Sequence, residues 1–253
     1  HVDSLPAVDP ESGRFDPTPG SPPPSAARIT ALTLAAERGD PDAQFSLGVI
    51  YAGGHGVEKN LVAAIVWYTR AAEQGDAAAQ FELGSHYLLG IGVERNLDEA
   101  LKWHRQAAAQ GDAAMQWVLG SLYYDTQFGV PRDALEAAKW IRRSAEQGFW
   151  PAQSTLGSMY SRGEGVPKDN VLAYFWLNVS AADGGKVPQR ASPTLDAYQH
   201  SSAAAEKFHA QNRELRDLIA QLMTPAEVAE AQRLSREFRP VGSAGRSAES
   251  GQP

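Results

Sequence analysis

The chain has 253 residues, with 23 Lys and Arg against 30 Asp and Glu, a formal net charge of −7, and no cysteine. The negative charge disfavours general nucleic-acid binding, which needs a concentrated positive field over the phosphates, and the lack of cysteine excludes disulfides and thiol chemistry. No apolar run approaches the roughly 20 residues that are needed to cross a bilayer.

Residues 1–24 are predicted to be a Pro-rich disordered linker. Its prolines remove the backbone donors that a helix needs, and few apolar side chains are present to support a core. Its acidic side chains outnumber Arg14, which keeps the segment solvated. Because the chain starts at His1 and not at Met, we expect that a signal peptide or another upstream segment was removed. Residues 239–253 are predicted to be a second disordered segment.

Between these segments, at residues 25–238, the chain repeats itself. The tract Ala43–Tyr51 returns as Ala79–Tyr87, and the glycines that mark the period stand at positions 48, 84, 120 and 157, so the spacing is 36, 36 and then 37 residues. A fixed period in this range is typical of a solenoid of stacked helix pairs. The predicted fold is therefore all-α.

Each repeat is predicted to hold two helices that begin at a capping residue and end at glycine. In the first repeat, Asp40 with Pro41 begins the first helix and Asn60 begins the second. A half repeat at Ala26–Arg38 is predicted to cap the first end of the array. The predicted repeats cover about residues 40–75, 76–111, 112–148 and 149–184.

Two capping helices are predicted at about residues 194–238. The first carries an apolar face from Phe208 to Leu222. Thr224 and Glu227 have the spacing of a capping box, which predicts the start of the last helix. Terminal helices of this kind cover the apolar edge that a stack of repeats would otherwise expose.

The repeat pattern Gly-Asp-x-x-Ala-Gln-x-x-Leu-Gly-x-x-Tyr-x-x-Gly-x-Gly-Val, followed by Trp and by Ala-Ala-Glu-Gln-Gly, resembles Sel1-like repeats of bacterial type, which are close to tetratricopeptide repeats. It covers about residues 37–184. The resemblance implies a right-handed α/α solenoid of four Sel1-like helix pairs, whose first helices line a concave groove. The chain departs from the pattern at Asp125–Gly129, where the loop is one residue longer, and at Phe149, where the Asp cap is missing.

If the first helices line a groove, as the resemblance implies, the lining changes from aromatic and apolar to hydroxyl-rich, with an arginine near one end. Such a lining suits an extended peptide or a partner helix. The alternative is that Phe45, Phe81 and Trp117 only pack between neighbouring first helices. The predicted partner-binding residues are Phe45, Val49, Phe81, Ser85, Leu88, Trp117, Ser121, Tyr124, Trp150, Ser158 and Arg162.

Two further columns have a structural interpretation. The repeated glycines lack a Cβ atom, which lets two helices approach closely. The repeated tryptophans are predicted to pack against the next repeat. The tryptophan column is Trp67, Trp103, Trp140 and Trp176.

The sequence predicts no enzyme, no metal and no cofactor. It contains no Ser-x-x-Lys, no His-Glu-x-x-His and no Gly-Lys-Ser/Thr phosphate loop. Some members of the family that it resembles have been described as β-lactamases, so an enzyme or enzyme subunit that acts on cell-wall peptide or glycan stays open as an alternative. That alternative needs carboxylates that converge in the groove, and the nearest acids are Glu82 and Asp125.

The sequence thus favours a non-enzymatic scaffold that binds a protein or peptide in its groove. The periplasm or cell envelope is the expected location, because of the Pro-rich leader and the absence of cysteine, with the cytoplasm as the alternative. A purely structural module that uses its C-terminal helices as the interface is a further alternative.

Overall fold

The computed structural model describes residues 14–15, 22–182 and 202–241. Most of the predicted linker and most of the predicted C-terminal tail lie outside these residues. The described part of the chain forms eleven helices, so the all-α fold class is confirmed. The helices are α1 (Ala26–Glu37), α2 (Pro41–Gly53), α3 (Leu61–Glu73), α4 (Ala77–Leu89), α5 (Leu97–Ala109), α6 (Ala113–Tyr124), α7 (Ala134–Glu146), α8 (Trp150–Arg162), α9 (Asn170–Ala182), α10 (Ser202–Ala220) and α11 (Pro225–Glu237).

The helices divide into two compact units, with α1–α5 in the first and α6–α11 in the second. In the first unit α2 pairs with α3 and α4 with α5, and α3 contacts α4. In the second unit α6 pairs with α7 and α8 with α9, and α7 contacts α8, while α10 and α11 both pack against α9. Each unit is therefore built from antiparallel helix pairs that stack on one another, as in an α/α solenoid.

The helices begin where the sequence places caps. Asp40 accepts hydrogen bonds from the N–H groups of Asp42 and Ala43, and Pro41 occupies the first helical position. Helix α8 begins after Phe149 with no side-chain cap, in agreement with the missing Asp. The predicted capping box of α11 is also present. Side-chain caps are likewise formed by Asn60, Asp76, Asn96, Asp112 and Asp133.

The repeated glycines bring the two helices of each pair close together, as predicted. A Cβ atom at Gly120 would lie 2.6 Å from Ile141 Cγ1 and 3.1 Å from the Ile141 backbone nitrogen, which leaves no room for a side chain. The other three glycines of the column meet one side chain each. These facing residues are Tyr68 for Gly48, His104 for Gly84 and Leu177 for Gly157.

The tryptophan column is buried at two of its four positions. Trp103 and Trp176 are 8% and 6% exposed, whereas Trp67 and Trp140 are only half-buried. The guanidinium groups of Arg70 and Arg143 cover these two rings at 4.7 Å and 4.8 Å from the ring centroids. In every repeat, the residue after the tryptophan faces the repeated glycine of the paired helix. Consecutive side chains point about 100° apart around a helix. The tryptophan itself therefore lies at the flank of the helix pair.

A column of buried glutamines joins consecutive repeats. Gln80 donates from Nε2 to the Ala72 carbonyl at 3.0 Å, and its Oε1 accepts from Nε2 of Gln110 at 3.0 Å. Gln44 makes the same pair of bonds, to the Ala36 carbonyl and from Gln74. Each buried amide thereby satisfies a carbonyl near the end of the preceding helix, which apolar packing alone would leave unpaired. The sequence showed this column but did not indicate its role.

A second glycine column packs the loops of the second and fourth repeats onto the preceding second helix. A Cβ atom at Gly92 would lie 2.6 Å from Leu61 Cβ, and one at Gly165 would overlap the Ala134 carbonyl oxygen. Both glycines have positive φ values, +73° and +68°. The repeated Gly-x-Gly loop therefore ends the first helix with its first glycine and contacts the previous second helix with its second.

No helix within residues 22–182 and 202–241 is both long enough and apolar enough to span a membrane.

Candidate binding surface

In the first unit, the predicted lining of α2 is already covered. Phe45 and Val49 are each 5% exposed. The Phe45 ring packs against Tyr68 of α3 at 5.8 Å, with the ring planes tilted by 44°. The guanidinium of Arg14 also lies over the Phe45 ring, 4.2 Å from the ring centroid.

Arg14 comes from the segment that the sequence predicts to be a linker. Its Nη2 donates to Asp76 Oδ2 at 2.5 Å, and its Nε lies 3.3 Å from Asp42 Oδ1. Asp42 lies in the first turn of α2, and Asp76 is the cap of α4. One guanidinium thus joins the starts of two consecutive first helices, and the two carboxylates balance its charge where the helix dipoles disfavour a cation.

The next residue, Phe15, is buried in the same surface. Its side chain is 4% exposed, and its ring lies 5.5 Å from the ring of His55. Its N–H donates to Ser46 Oγ at 3.0 Å, while the Ser46 hydroxyl donates to the Asp42 carbonyl. The non-helical dipeptide 14–15 is therefore held by an aromatic contact, a backbone hydrogen bond and two ion pairs.

On α4 the predicted residues are covered by different partners. Phe81 is 3% exposed, and its ring makes an edge contact with His104 of α5 at 5.2 Å. The Ser85 hydroxyl donates to the Phe81 carbonyl, and Leu88 is buried. Leu89, the residue after Leu88, is exposed.

His104 is a buried imidazole that faces Gly84. Its side chain is 2% exposed, and neither ring nitrogen has a hydrogen-bond partner in the described part of the chain. Burial lowers the pKa of His104 to about 4, because the charged form loses its hydration. At neutral pH the ring is therefore neutral and acts as an apolar filler between α4 and α5.

In the second unit, α10 covers the first turns of α8, including the predicted residue Trp150. Trp150 is 7% exposed, and the ring of His209 lies 4.6 Å from it. One turn further along α8, the buried Ser154 hydroxyl donates to Asn212 Oδ1 at 2.7 Å. Trp150 is thus an anchor for the chain's own C-terminal helix, which occupies the place that the sequence analysis assigned to a partner.

Replacement of Ser154 by alanine is expected to destabilise the protein by about 1–3 kcal/mol, because Asn212 Oδ1 is then buried without its donor. Ser158→Ala is the matched control, since the side chain of Ser158 is only half-buried, and we expect it to change stability by no more than about 0.5 kcal/mol. Urea unfolding of both variants measures the difference. Equal stabilities would show that the contact between α8 and α10 contributes nothing.

The remaining aromatic residues of the second unit are partly accessible. Trp117 is half-buried, with the ring of Phe149 at 5.7 Å. The Tyr124 hydroxyl donates to a carboxylate oxygen of Glu164, and Arg132 pairs with the same carboxylate at 3.2 Å. The Arg132 guanidinium also lies 5.3 Å from the centre of the Tyr124 ring.

Charge and burial in this cluster shift two pKa values in opposite directions. Burial, together with the bond to Glu164, raises the pKa of Tyr124. The bond from Tyr124 has the largest effect on the pKa of Glu164 and lowers it, the charge of Arg132 lowers it further, and burial opposes both. Ser121 and Ser158 are half-buried and Arg162 is exposed. The accessible polar groups of these residues are therefore the Tyr124 phenol, the hydroxyls of Ser121 and Ser158, and the guanidinium groups of Arg132 and Arg162.

The acids that an enzyme would need have other surroundings. Asp125 is exposed, and its carboxylate accepts the N–H of Gln127 at 3.0 Å within a turn. Glu82 is buried on α4, with 4% of its surface exposed. Within residues 14–15, 22–182 and 202–241, no three His, Cys, Asp or Glu side chains are grouped so that they could hold a metal ion.

Sequence patterns did not indicate the residues that hold Arg14–Phe15. From the sequence, Arg14 is a solvated charge, and Phe15, Asp42 and Ser46 have no predicted role. A signal was present, because Phe15 is the one Phe, Tyr or Trp residue in positions 1–24 and follows the one Lys or Arg there.

Comparison with known proteins identifies the repeat. The sequence profile of the Sel1 repeat matches residues 41–76, 77–112, 113–149 and 150–185. A search of curated proteins found no match.

Two solved structures are similar over most of the chain. The first is a protective antigen of uropathogenic Escherichia coli strains that displays an SLR fold, with 33% identity and a TM-score of 0.63; the alignment covers 89% of this chain and 44% of the antigen. The second is a Sel1 repeat protein from Oxalobacter formigenes, with 32% identity and a TM-score of 0.59, over 74% of this chain and 79% of that protein. This chain therefore spans less than half the length of the antigen.

Proposed function

We propose that this chain, which belongs to the Sel1 repeat family, binds an extended segment of a partner protein on the faces of its first helices. Sel1 repeats generally serve as non-catalytic scaffolds for protein interaction. A stack of helices that is organised by its own core presents such a face without further ordering, so little binding free energy is lost when a partner docks. The cell envelope is the compartment that we propose.

One observation carries this proposal. The face of α2 holds a non-helical dipeptide, Arg14–Phe15, through a buried ring, a backbone hydrogen bond to Ser46 and two ion pairs. These are the interactions by which a groove recognises an extended peptide, since main-chain bonds supply affinity and side-chain pockets supply specificity. A surface that binds such a segment of its own chain has the chemistry to bind one from another protein.

In the second unit the proposal rests on accessible groups of the first helices. Ser121 and Tyr124 on α6 and Arg162 on α8 keep part of their surface exposed. Tyr and Arg are enriched among the residues that dominate binding free energies at interfaces. A partner segment with acceptor groups would match the guanidinium of Arg162.

Affinity capture from a bacterial envelope extract, followed by mass spectrometry, tests the proposal. Ser121→Arg places a long charged side chain on the proposed binding face of α6. Leu135→Arg adds the same side chain to α7 at a position that is 68% exposed, and it is the matched control. We expect a partner that wild type and Leu135→Arg capture equally and that Ser121→Arg captures at least tenfold less, which corresponds to about 1.4 kcal/mol.

The C-terminal helices are the second candidate surface, because Leu218 on α10 is 58% exposed and Leu222, in the turn that follows α10, is 71% exposed. Leu218→Arg is therefore the third variant in the capture series. Loss of the partner with Leu218→Arg and its retention with Ser121→Arg would contradict the proposed face and favour an assembly module that docks through α10. Equal capture by all four proteins would contradict binding through the face of α6 and binding through α10.

A further inference from the structure

Asp42 and Asp76 hold the guanidinium of Arg14 between them, and these three residues form a charged clamp at the first repeat. The other repeats have no counterpart of Asp42. Arg14 is only 26% exposed, with its side chain between Asp42 and Asp76, and Asp76 is 9% exposed. Asp76 uses its other oxygen to cap Ala79 at 2.7 Å. Its Oδ1 therefore performs the structural task, and its Oδ2 binds the guanidinium.

Three of the residues that contact Arg14–Phe15 differ from their counterparts in the other repeats. Alignment on the repeated glycines places Asp42, Ser46 and His55 at positions where the other repeats carry different chemistry. In place of Asp42 they have Ala78, Ala114 and Pro151. In place of Ser46 they have Glu82, Val118 and Thr155, and in place of His55 the second and fourth repeats have Ile91 and Glu164. Stacking of helix pairs therefore does not require these side chains.

The geometry points to a recognition site for an Arg–aromatic dipeptide, formed by Asp42, Phe45, Ser46, His55 and Asp76, in which the chain's own Arg14–Phe15 is a displaceable occupant. The ligand is an extended segment of a partner protein that carries Arg followed by Phe or another aromatic residue. This inference rests on the proposed function, because it names the chemistry that one part of the binding face selects.

Each part of the site selects a different feature of the dipeptide. The two carboxylates and the Phe45 ring select a guanidinium, whose planar face stacks on an aromatic ring while its edges donate to carboxylates, a combination that lysine does not reproduce. Ser46 Oγ is committed as a donor to the Asp42 carbonyl, so it presents an acceptor to the N–H of the aromatic residue. The buried place of Phe15 beside His55 selects an aromatic ring.

Because Arg14–Phe15 belongs to the same chain as the site, it lowers the apparent affinity of the site for a segment of a partner protein. Ten residues, 16–25, lie between Phe15 and the start of α1 at Ala26. A short tether holds its end group at an effective concentration in the millimolar range, so an external segment has to compete with it. The N-terminal segment therefore sets a threshold that a partner has to exceed before it can dock.

Fluorescence anisotropy with a labelled peptide tests the inference. The probe copies residues 11–18, Glu-Ser-Gly-Arg-Phe-Asp-Pro-Thr, and two control probes carry Ala-Ala or Lys-Phe in place of Arg-Phe. The proteins are the full chain, the vacated variant Arg14→Ala/Phe15→Ala, and the vacated variant with Asp42→Asn/Asp76→Asn added. Asn at position 76 keeps the cap of α4, since Asn and Asp are equally good caps. Glu94→Gln in the vacated variant removes one exposed charge outside the site and is the matched control.

We expect the vacated variant to bind the Arg-Phe probe at least on the order of tenfold more tightly than the full chain does. The reference for the other comparisons is the vacated variant with the Arg-Phe probe. Relative to it, we expect the affinity to fall by a similar factor with the Ala-Ala probe or with the Asn substitutions. We expect a smaller decrease with the Lys-Phe probe and no decrease with Glu94→Gln. Arg14→Ala alone is a second vacated variant that keeps the buried ring of Phe15, in case the double substitution reduces stability.

Equal binding of the Arg-Phe and Ala-Ala probes, or no binding to either vacated variant, would overturn the inference and leave Arg14–Phe15 as a fixed part of the first unit. The capture series with Ser121→Arg concerns the second unit. A partner that depends on Ser121 while the probe does not bind would therefore contradict this inference and leave the proposed function intact.

Discussion

Replacement of His104 by leucine is expected to remove about 3 kcal/mol of the acid sensitivity of this protein between pH 6.5 and pH 4. The folded pKa of His104 is about 4, whereas the unperturbed value is 6.5. Between these values the unfolded chain binds a proton that the folded chain excludes, so the free energy of unfolding decreases as the pH falls. The difference of about 2.5 pKa units corresponds to about 3 kcal/mol at 1.36 kcal/mol per unit.

Leucine is the suitable replacement because the fold already uses it at this position. Leu177 faces Gly157 in the fourth repeat as His104 faces Gly84 in the second. Leucine also removes two ring nitrogens that have no hydrogen-bond partner among the described residues. We therefore expect His104→Leu to be at least as stable as wild type at pH 7 and clearly more stable at pH 4.5.

Urea unfolding of both proteins at pH 7.5, 6.0, 5.0 and 4.5 measures this effect. The stability difference between His104→Leu and wild type should be smallest above pH 6.5 and should grow toward pH 4. His86→Gln is the control, because it also removes one histidine, but from a half-buried place at the end of α4. Parallel curves for wild type and His104→Leu would show that this imidazole does not cause the acid sensitivity.

Gly165→Ala is expected to destabilise the second unit by about 2–5 kcal/mol. A residue with a Cβ atom costs about 1–2 kcal/mol in the left-handed conformation that Gly165 adopts at φ +68°. The new Cβ atom would also overlap the backbone of Ala134, which begins α7, and relief of that overlap requires the loop to move away from the preceding repeat. Overpacking of this kind adds about 1–3 kcal/mol.

Gly163→Ala separates these two effects. Gly163 has nearly the same backbone conformation, with φ +72°, but a Cβ atom there would lie 3.3 Å from Lys168 Cβ and would meet no other helix. We expect it to cost only the conformational part, about 1–2 kcal/mol. Guanidinium unfolding of the two variants compares them directly. If both lose the same stability, the contact between this loop and α7 does not hold the repeats together.

Together, these two predictions test how the stack is built. The first glycine column lets each helix pair close, and Gly92 and Gly165 of the second column let their loops contact the preceding pair. The buried glutamines supply the polar bonds across the same boundary between repeats. Repeat proteins derive their stability largely from such contacts between neighbours, so a single substitution at the boundary has a large effect.

The sequence by itself determined the features that depend on neighbours along the chain. The period identified the helix pairs, and Asp40, Asn60 and the Thr224 capping box marked where helices begin. It also predicted the close approach at Gly48, because a glycine at the same place in every repeat indicates a position that has no room for a Cβ atom. Local hydrogen bonds and helical periodicity determine where the helices lie, and both are read directly from spacing.

The tertiary structure alone decided which faces are covered. Arg14 reaches Asp76 across 62 residues, and Ser154 reaches Asn212 across 58 residues. No spacing predicts such contacts, because they depend on how a segment outside the repeats folds back onto a surface that the repeats build together. The same reason explains Trp150, which the sequence placed on a surface for a partner and which α10 covers in the folded chain.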